Sequence, residues 1–181
     1  MIAVATIGST IITRPECRVT TNGGICELRQ KTPGGTRGAW TPSLPKPLLR
    51  FLTRRMISSH RRKRDTFQGM DILYLTTVGA RSGEQRQTPL ARFPDGEQGW
   101  LIVGSAAGAA RHPAWYHNPA ADPDQVWIDV RGRRLRVTPE QLDGERRAQA
   151  WQRIVTGQSR YAGYQDKTDR VLPVIRLSPA T

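Results

Sequence analysis

Short β-rich runs, each closed by a breaker within a few residues, dominate the chain from residue 70 onward. Ile72, Tyr74 and Thr76 alternate with Leu73, Leu75 and Thr77, and Gly79 ends the run. A period of two puts successive side chains on opposite faces, so this segment predicts a strand entering a turn. Trp100-Leu101-Ile102-Val103, Val126-Trp127-Ile128-Asp129-Val130 and Leu135-Arg136-Val137 predict three more strands, the last two joined by a tight hairpin at Arg131-Gly132-Arg133. Residues 90–93 are expected to pair with the Trp100 strand across Pro94-Asp95-Gly96, and Val174-Ile175-Arg176-Leu177 supplies a terminal strand. One longer helix is expected from Gly144, capped by Asp143 and closed by Gly157, with Ala148, Trp151, Ile154 and Val155 as its apolar face. A start at Thr138-Pro139 would put Gly144 inside the helix at about 1 kcal/mol. A short helix follows His112-Pro113. Many short strands with few helices predict a mostly β fold with flanking helices, a small barrel.

Charge divides the chain. Its 181 residues carry a net charge of +13, with 13 basic and 3 acidic side chains in residues 1–69 against 15 and 12 in residues 70–181. Such a balance points to an anionic partner, and the excess sits ahead of the strands. Residues 1–44 mix Thr, Gly, Pro and scattered charge without period, and are expected to be a disordered leader. Residues 45–69 read as a basic amphipathic helix and linker: Leu48, Leu49, Leu52 and Met56, with Phe51, fall at helical spacing among Arg50, Arg54 and Arg55, ahead of the Arg61-Arg62-Lys63-Arg64 block. Residues 70–181 form the barrel domain. Cys17 and Cys26, with eight residues between them in the leader, match no metal or redox spacing. No basic-then-apolar leader peptide and no stretch long enough to span a bilayer are present, so a cytoplasmic protein is expected.

Three constellations carry chemistry. Gly79-Ala80-Arg81-Ser82-Gly83-Glu84-Gln85-Arg86 is a glycine-bounded loop in which Arg81, Arg86 and the Ser82 hydroxyl can converge on phosphate or carboxylate oxygens. A solvated hairpin with surface arginines is the competing account, and the loop alone does not separate them. The spacing matches neither a P-loop nor a dinucleotide fingerprint. Gly104-Ser105-Ala106-Ala107-Gly108, running on to Trp115 and Tyr116, allows close backbone approach to a planar ligand beside an aromatic wall, unless the aromatics plug the barrel end. Tyr161 and Tyr164, three apart, share one face of a helical turn and can close over a ligand or pack on the barrel. His112 and His117 have no acidic or cysteine partner nearby, and no metal site is expected.

At these residues the chain resembles the deazaflavin-dependent nitroreductase family. The resemblance spans about residues 70–178 and is carried by Leu75-Thr76-Thr77-Val78-Gly79-Ala80-Arg81-Ser82-Gly83, by Arg86 with Pro89-Leu90, by His112-Pro113-Ala114-Trp115-Tyr116-His117-Asn118 and by residues 161–170. It implies a split β-barrel of the FMN-binding type and the 8-hydroxy-5-deazaflavin coenzyme F-420. By the same resemblance, Arg81, Ser82, Gly83 and Arg86 would hold the coenzyme's phosphate and glutamate tail, with Ser105 near it. Pro89, Trp115 and Tyr116 would border the ring pocket, and Tyr161 and Tyr164 would close its substrate side as proton donors. Ala91, Ala106 and Gln158 replace an aromatic, a polar residue and a tyrosine of better-known members, which bears on substrate preference.

The implied activity is hydride transfer from reduced F-420 to a quinone, nitro or activated ene acceptor. A non-catalytic deazaflavin carrier is the alternative, and a basic nucleic-acid-binding protein ranks third, because the basic excess is not spread over a stacking face. Residues 47–64 suit an anionic membrane surface, so peripheral contact with the inner face of the cell membrane is expected there; the rival is a helix whose leucines pack on the barrel.

Overall fold

The computed structural model describes residues 32–40, 48, 51–53, 55–58 and 65–180. The expected leader before residue 32, most of the basic helix and the Arg61–Arg64 block lie outside the described residues. Eight strands make one antiparallel sheet: β1 (Thr66–Phe67), β2 (Met70–Val78), β3 (Gln85–Ala91), β4 (Phe93–Asp95), β5 (Gly99–Val103), β6 (Val126–Val130), β7 (Arg133–Gln141) and β8 (Val174–Pro179). The order β1-β2-β6-β7-β8-β5-β4, with β3 also on β2, leaves β3 and β4 at opposite ends of the ladder although only Arg92 separates them in the chain. A sheet whose two ends are consecutive in sequence has to curl, and the product is a curled half-barrel, in line with the expected split β-barrel.

Burial follows the period of two. On β5, Ile102 points into one apolar cluster with Leu73, Leu75, Val126, Ile128, Val137, Ile175 and Leu177, while Leu101 and Val103 point into a second. The first cluster fills the barrel. The second lies under α2 (Gly144–Gly157) and α3 (Arg160–Asp166), which contribute Ala150, Ile154 and Tyr161; a four-residue α1 (Asn118–Ala121) precedes β6. β2 is buried on both faces, so Ile72 through Leu75 read as a continuous apolar run.

Several expectations need correction. Leu90 and Ala91 belong to β3 and pair with Leu73 and Ile72 of β2, so the hairpin across Pro94 is only Phe93–Asp95 on Leu101–Gly99. A strand reading Gln-Arg-Gln-Thr-Pro has no apolar alternation, because most of it is partly exposed. The linker assigned to residues 45–69 ends early, since Thr66 and Phe67 pair with Asp71 and Met70. Ala148 is exposed and Ala150 buried, so the inner face of α2 is Ala150, Trp151, Ile154 and Val155. Residues 32–40, expected to be disordered, are hydrogen-bonded to the barrel; loop-rich backbone is held here by side chains 79 to 133 residues away. Residues 48, 51–53 and 55–58 are helical, and Leu48, Phe51, Leu52 and Met56 are 41–59% exposed, so much of their apolar surface faces solvent. Among the described residues no helix is long and apolar enough to cross a membrane.

The β6–β7 connection is the expected two-residue turn, with Arg131 and Gly132 at φ of 49° and 78°. Asn fits the first position of such a turn and Arg does not. Arg131→Asn is expected to raise the urea midpoint, adding about 0.5–1 kcal/mol; an unchanged or lower midpoint would contradict this account of the turn.

Candidate active site

Chain direction puts the Arg81–Arg86 turn and the 104–118 stretch at one end of the barrel; α3 meets that end through Tyr164 O beside Gly108, while Tyr161 packs along the side with Phe93 and Met70. β2 ends and β3 begins at that end, β5 runs out into residues 104–110, β6 enters after α1, and β8 enters after α3. The opposite end carries a cavity of about 490 Å³ lined by Arg92, Glu97, Trp100, Arg131, Arg133 and Leu135 among others. None of the predicted site residues borders it.

The β2–β3 turn is closed by Gly79 N–H to Glu84 O at 2.9 Å, and by Ser82 and Gly83 N–H to Gly79 O at 3.0 and 2.9 Å. A Cβ at Gly79 would come within 2.8 Å of Ser82 Oγ and 3.2 Å of Arg86 Nε, so a residue without a side chain lets this hydroxyl and guanidinium fold over it. Arg86 donates to Ser82 Oγ and to Glu84 Oε2, both at 3.3 Å. Arg81, Ser82, Gly83 and Arg86 are all exposed. Behind the turn, Asn118, quoted in the motif but given no role there, ties it down: its Oδ1 accepts from Ala80 N–H at 3.2 Å and its Nδ2 donates to Thr77 Oγ1 at 2.9 Å. It is buried, and it fixes the turn from below.

Residues 104–110 have an unusual backbone. Ser105 is right-handed (φ −71°, ψ −40°), and Ala106 and Ala107 follow at φ of 45° and 54°. Left-handed alanines cost about 1–2 kcal/mol each. A right-handed residue followed by a left-handed one turns consecutive N–H groups to one side, a concavity suited to anion oxygens. Arg170 holds this shape. It is 2% exposed, and its guanidinium donates to the carbonyls of Ala109 (2.7 Å), Gly104 (3.0 Å) and Ser105 (2.7 Å) and approaches His112 Nδ1 at 3.2 Å. No carboxylate pairs with it among the described residues, and burial lowers its pKa. His112 Nε2 lies 2.8 Å from Thr32 O and 3.2 Å from Pro33 O, so a neutral Nε2–H tautomer suits both of its nitrogens. Burial and then the charge of Arg170 lower its pKa, which favours that neutral form. Nothing in the motif reading singled out Arg170 or His112 as positioning groups, because an arginine that binds only carbonyls has no sequence signature.

The aromatics divide. Trp115 and Tyr116 are 7% and 1% exposed and belong to the barrel cluster, their backbone forming the 3-10 turn Ala114–His117. Tyr116 Oη donates to Gln141 Oε1 at 2.6 Å. Pro89 and Ser105 are half-buried. Tyr161 and Tyr164 meet edge to face with centroids 5.5 Å apart, and Phe93 meets Tyr161 edge to face as well, at 5.4 Å. Burial, with the neighbouring Tyr164 second, pushes the Tyr161 hydroxyl up to about 12. At neutral pH Tyr161 is thus a hydrogen-bond donor and a poor acid, while Tyr164 is only partly buried.

Two outcomes follow from this geometry. Arg170→Gln strands buried carbonyls and is expected to cost about 3 kcal/mol in urea denaturation, and Arg170→Lys should recover little because an ammonium lacks the planar fork. Equal stability of Arg170→Gln and wild type would refute the role given to Arg170. The raised Tyr161 pKa means that its contribution is complete below pH 10 and is lost as pH rises through about 12. Tyr161→Phe should therefore flatten the alkaline fall in stability over that window, as read by melting temperature against pH.

With the geometry in place, the relatives can be set beside it. The family model described as F-420H(2)-dependent quinone reductase matches residues 48–179. An F-420H(2)-dependent quinone reductase of Mycobacterium tuberculosis (strain H37Rv) is 40% identical over 109 residues, covering 59% of this chain and 72% of that protein. A solved F-420-H2 dependent reductase, FDR-A, superposes with a TM-score of 0.53 at 37% identity, covering 59% of this chain and 93% of that one. Another solved chain, described as a domain-swapped dimer, is 33% identical with a TM-score of 0.54, covering 75% of this chain and all of that one. The matched span contains every strand and all three constellations, and the chain belongs to the F-420H(2)-dependent quinone reductase family of oxidoreductases, whose hydride donor is reduced coenzyme F-420.

Proposed function

We propose that this chain binds reduced F-420 across the Arg81–Arg86 turn and the Ser105–Ala107 backbone and delivers its hydride to a quinone lodged on the Tyr161–Tyr164 side. The observation that carries the reading is that an arginine-rich turn and a loop with N–H groups turned one way share one end of the barrel, with the tyrosine-bearing helix packed on that loop at Gly108. The donor set fits the coenzyme: two guanidiniums, a hydroxyl and backbone amides suit a phosphate and carboxylate tail, and the relaxed Arg86–Ser82 and Arg86–Glu84 contacts of 3.3 Å leave Arg86 able to re-aim.

When bound, the coenzyme supplies two-electron hydride chemistry at its ring. The chain supplies the rest. Arg81, Ser82, Gly83 and Arg86 hold the tail, and Ser105 with its following backbone steadies it. Pro89 lines the ring's approach, while Trp115 and Tyr116 back it as packed core. Tyr161 and Tyr164 exclude water and present hydroxyls to the acceptor oxygen; the proton that completes reduction comes from Tyr164 or solvent, because Tyr161 is too weak an acid. Nitro and activated ene compounds are secondary acceptors in this reading. Here the exposed Leu48, Phe51, Leu52 and Met56 support a second element, contact with an anionic membrane surface where a lipid-soluble quinone resides, in a cytoplasmic protein.

Titration of F-420 fluorescence by the purified chain, followed by oxidation of reduced F-420 with menadione, tests the proposal. Arg81→Ala and Arg86→Ala should each weaken coenzyme binding about 10–100-fold, the value of a charge-assisted hydrogen bond. Binding without menadione-dependent oxidation would leave a deazaflavin carrier in place of a reductase. No binding at micromolar coenzyme would end the assignment.

A further inference from the structure

Residues 32–39 lie ahead of the span shared with the family, yet they dock on the centre of the candidate site. Their backbone N–H groups serve the carbonyls of the 104–110 loop that Arg170 leaves over: Gly35 donates to Ala110 O at 2.9 Å and Ala39 to Gly108 O at 2.8 Å. Thr32 N–H donates to Tyr116 Oη at 3.0 Å, and Gln141 donates to Thr32 Oγ1 at 3.0 Å. The carbonyls of Thr32 and Pro33 face His112 Nε2. Asp169 then clasps the middle, accepting from Thr36 N–H (3.1 Å), Thr36 Oγ1 (2.5 Å) and Arg37 N–H (3.0 Å), while Thr168 Oγ1 donates to Arg37 O and the Arg37 guanidinium reaches Asp166 O at 3.1 Å.

Two positions show that the fit is specific. A Cβ on Gly38 would overlap Ala110 N and stand 2.6 Å from the Ala109 carbonyl carbon; one on Gly35 would overlap Asp169 Oδ1 and stand 3.0 Å from Arg170 N. Backbone cannot yield to a side chain there. The direction of the bonding matters as much. Together Arg170 and this segment take the carbonyls of residues 104, 105 and 108–110, apart from the internal bonds of the turn. The strap's acceptors face His112, Thr168 and the Asp169 N–H. None of these contacts uses the Ser105, Ala106 or Ala107 N–H groups or the Arg81, Ser82 and Arg86 side chains.

We propose that residues 32–39 are a positioning strap of the coenzyme site: by binding the carbonyl edge of the 104–110 loop they hold its N–H edge ready for the anionic tail of F-420. The proposal rests on the deazaflavin reading above. A strap that instead blocked the site would be expected to occupy the donors meant for the tail, and this one uses the other edge.

Gly38→Val in the full chain tests it, with Thr36→Val as a milder variant and Thr36→Ser, which keeps the hydroxyl to Asp169, as the rescue. Amide exchange of Gly35 and Ala39 reports whether the strap has let go, and fluorescence titration reports coenzyme affinity. Gly38→Val is expected to expose both amides, to weaken F-420 binding about tenfold, and to raise KM for reduced F-420 while kcat stays within about twofold. Thr36→Val should shift the same way and Thr36→Ser should match wild type. Exposed amides with unchanged or tighter coenzyme binding would overturn the strap's role, and Thr36→Val decides the matter if Gly38→Val does not fold. A wild-type chain that fails to bind F-420 would instead overturn the deazaflavin reading on which the proposal stands.

Discussion

A single buried guanidinium organises the functional end of this protein. Arg170 has no carboxylate partner among the described residues and satisfies itself on the carbonyls of Gly104, Ser105 and Ala109. Taking such a charge out of water is expensive unless every donor finds an acceptor. The loop it binds must therefore keep the curled shape that brings three carbonyls to one point, and the left-handed Ala106 and Ala107 are the cost of that shape. Strain and buried charge would each be costly alone. Together they are consistent, because the carbonyls that the strained loop turns inward are those that the guanidinium requires.

The barrel makes this arrangement possible without taking part in it. Since β3 and β4 are joined through Arg92 alone, the sheet cannot open flat, and the ends of β2, β5 and β6 are held at fixed separations. Asn118 carries that rigidity into the arginine turn through Thr77 and Ala80, and α3 packs on residues 106–108, with Tyr164 O only 2.6 Å from where a Cβ on Gly108 would stand. Three loops from distant parts of the sequence thus meet as one rigid surface, which an anionic, planar ligand requires if binding is to orient its reactive ring.

Strands that alternate in burial were legible from the residues themselves. Ile72 through Thr77, Trp100 through Val103 and the Arg131-Gly132 turn declare themselves by period and by turn chemistry, and the motif resemblance offered Arg81, Ser82, Arg86 and the tyrosine pair as candidates. β3 was not legible as far back as Gln85, because a strand with a partly exposed face and a proline lacks the apolar period that marks the others. Nor was the docking of residues 32–40. Its glycines and threonines have the composition of a disordered segment, and only the three-dimensional position of Asp169, Thr168 and His112 turns them into an ordered one. Arg170 and Asn118 failed to stand out for a related reason: their partners are mostly backbone atoms or a single threonine, which no spacing rule encodes.

The charge of +13 takes on a different meaning once it is placed on the fold. Many arginines of the barrel half are already committed to local partners: Arg92 to Asp71, Arg136 to Asp124, Arg146 to Glu140, and Arg153 and Arg176 to Asp95. Arg136–Asp124 is exposed on both sides and contributes little stability, while the others each hold one largely buried partner; all of them neutralise the surface away from the site. The exposed Arg81 and Arg86 then lie at the end of the barrel where Arg170 is buried, so that exposed positive charge of a nearly balanced domain is left where the proposed function would bring a polyanionic tail. Attraction of the coenzyme thus depends on where the pairing carboxylates are placed more than on the sum of the charge, and the single weak contact of Glu84 with Arg86, at 3.3 Å and exposed on both sides, is the one an incoming phosphate would most readily displace.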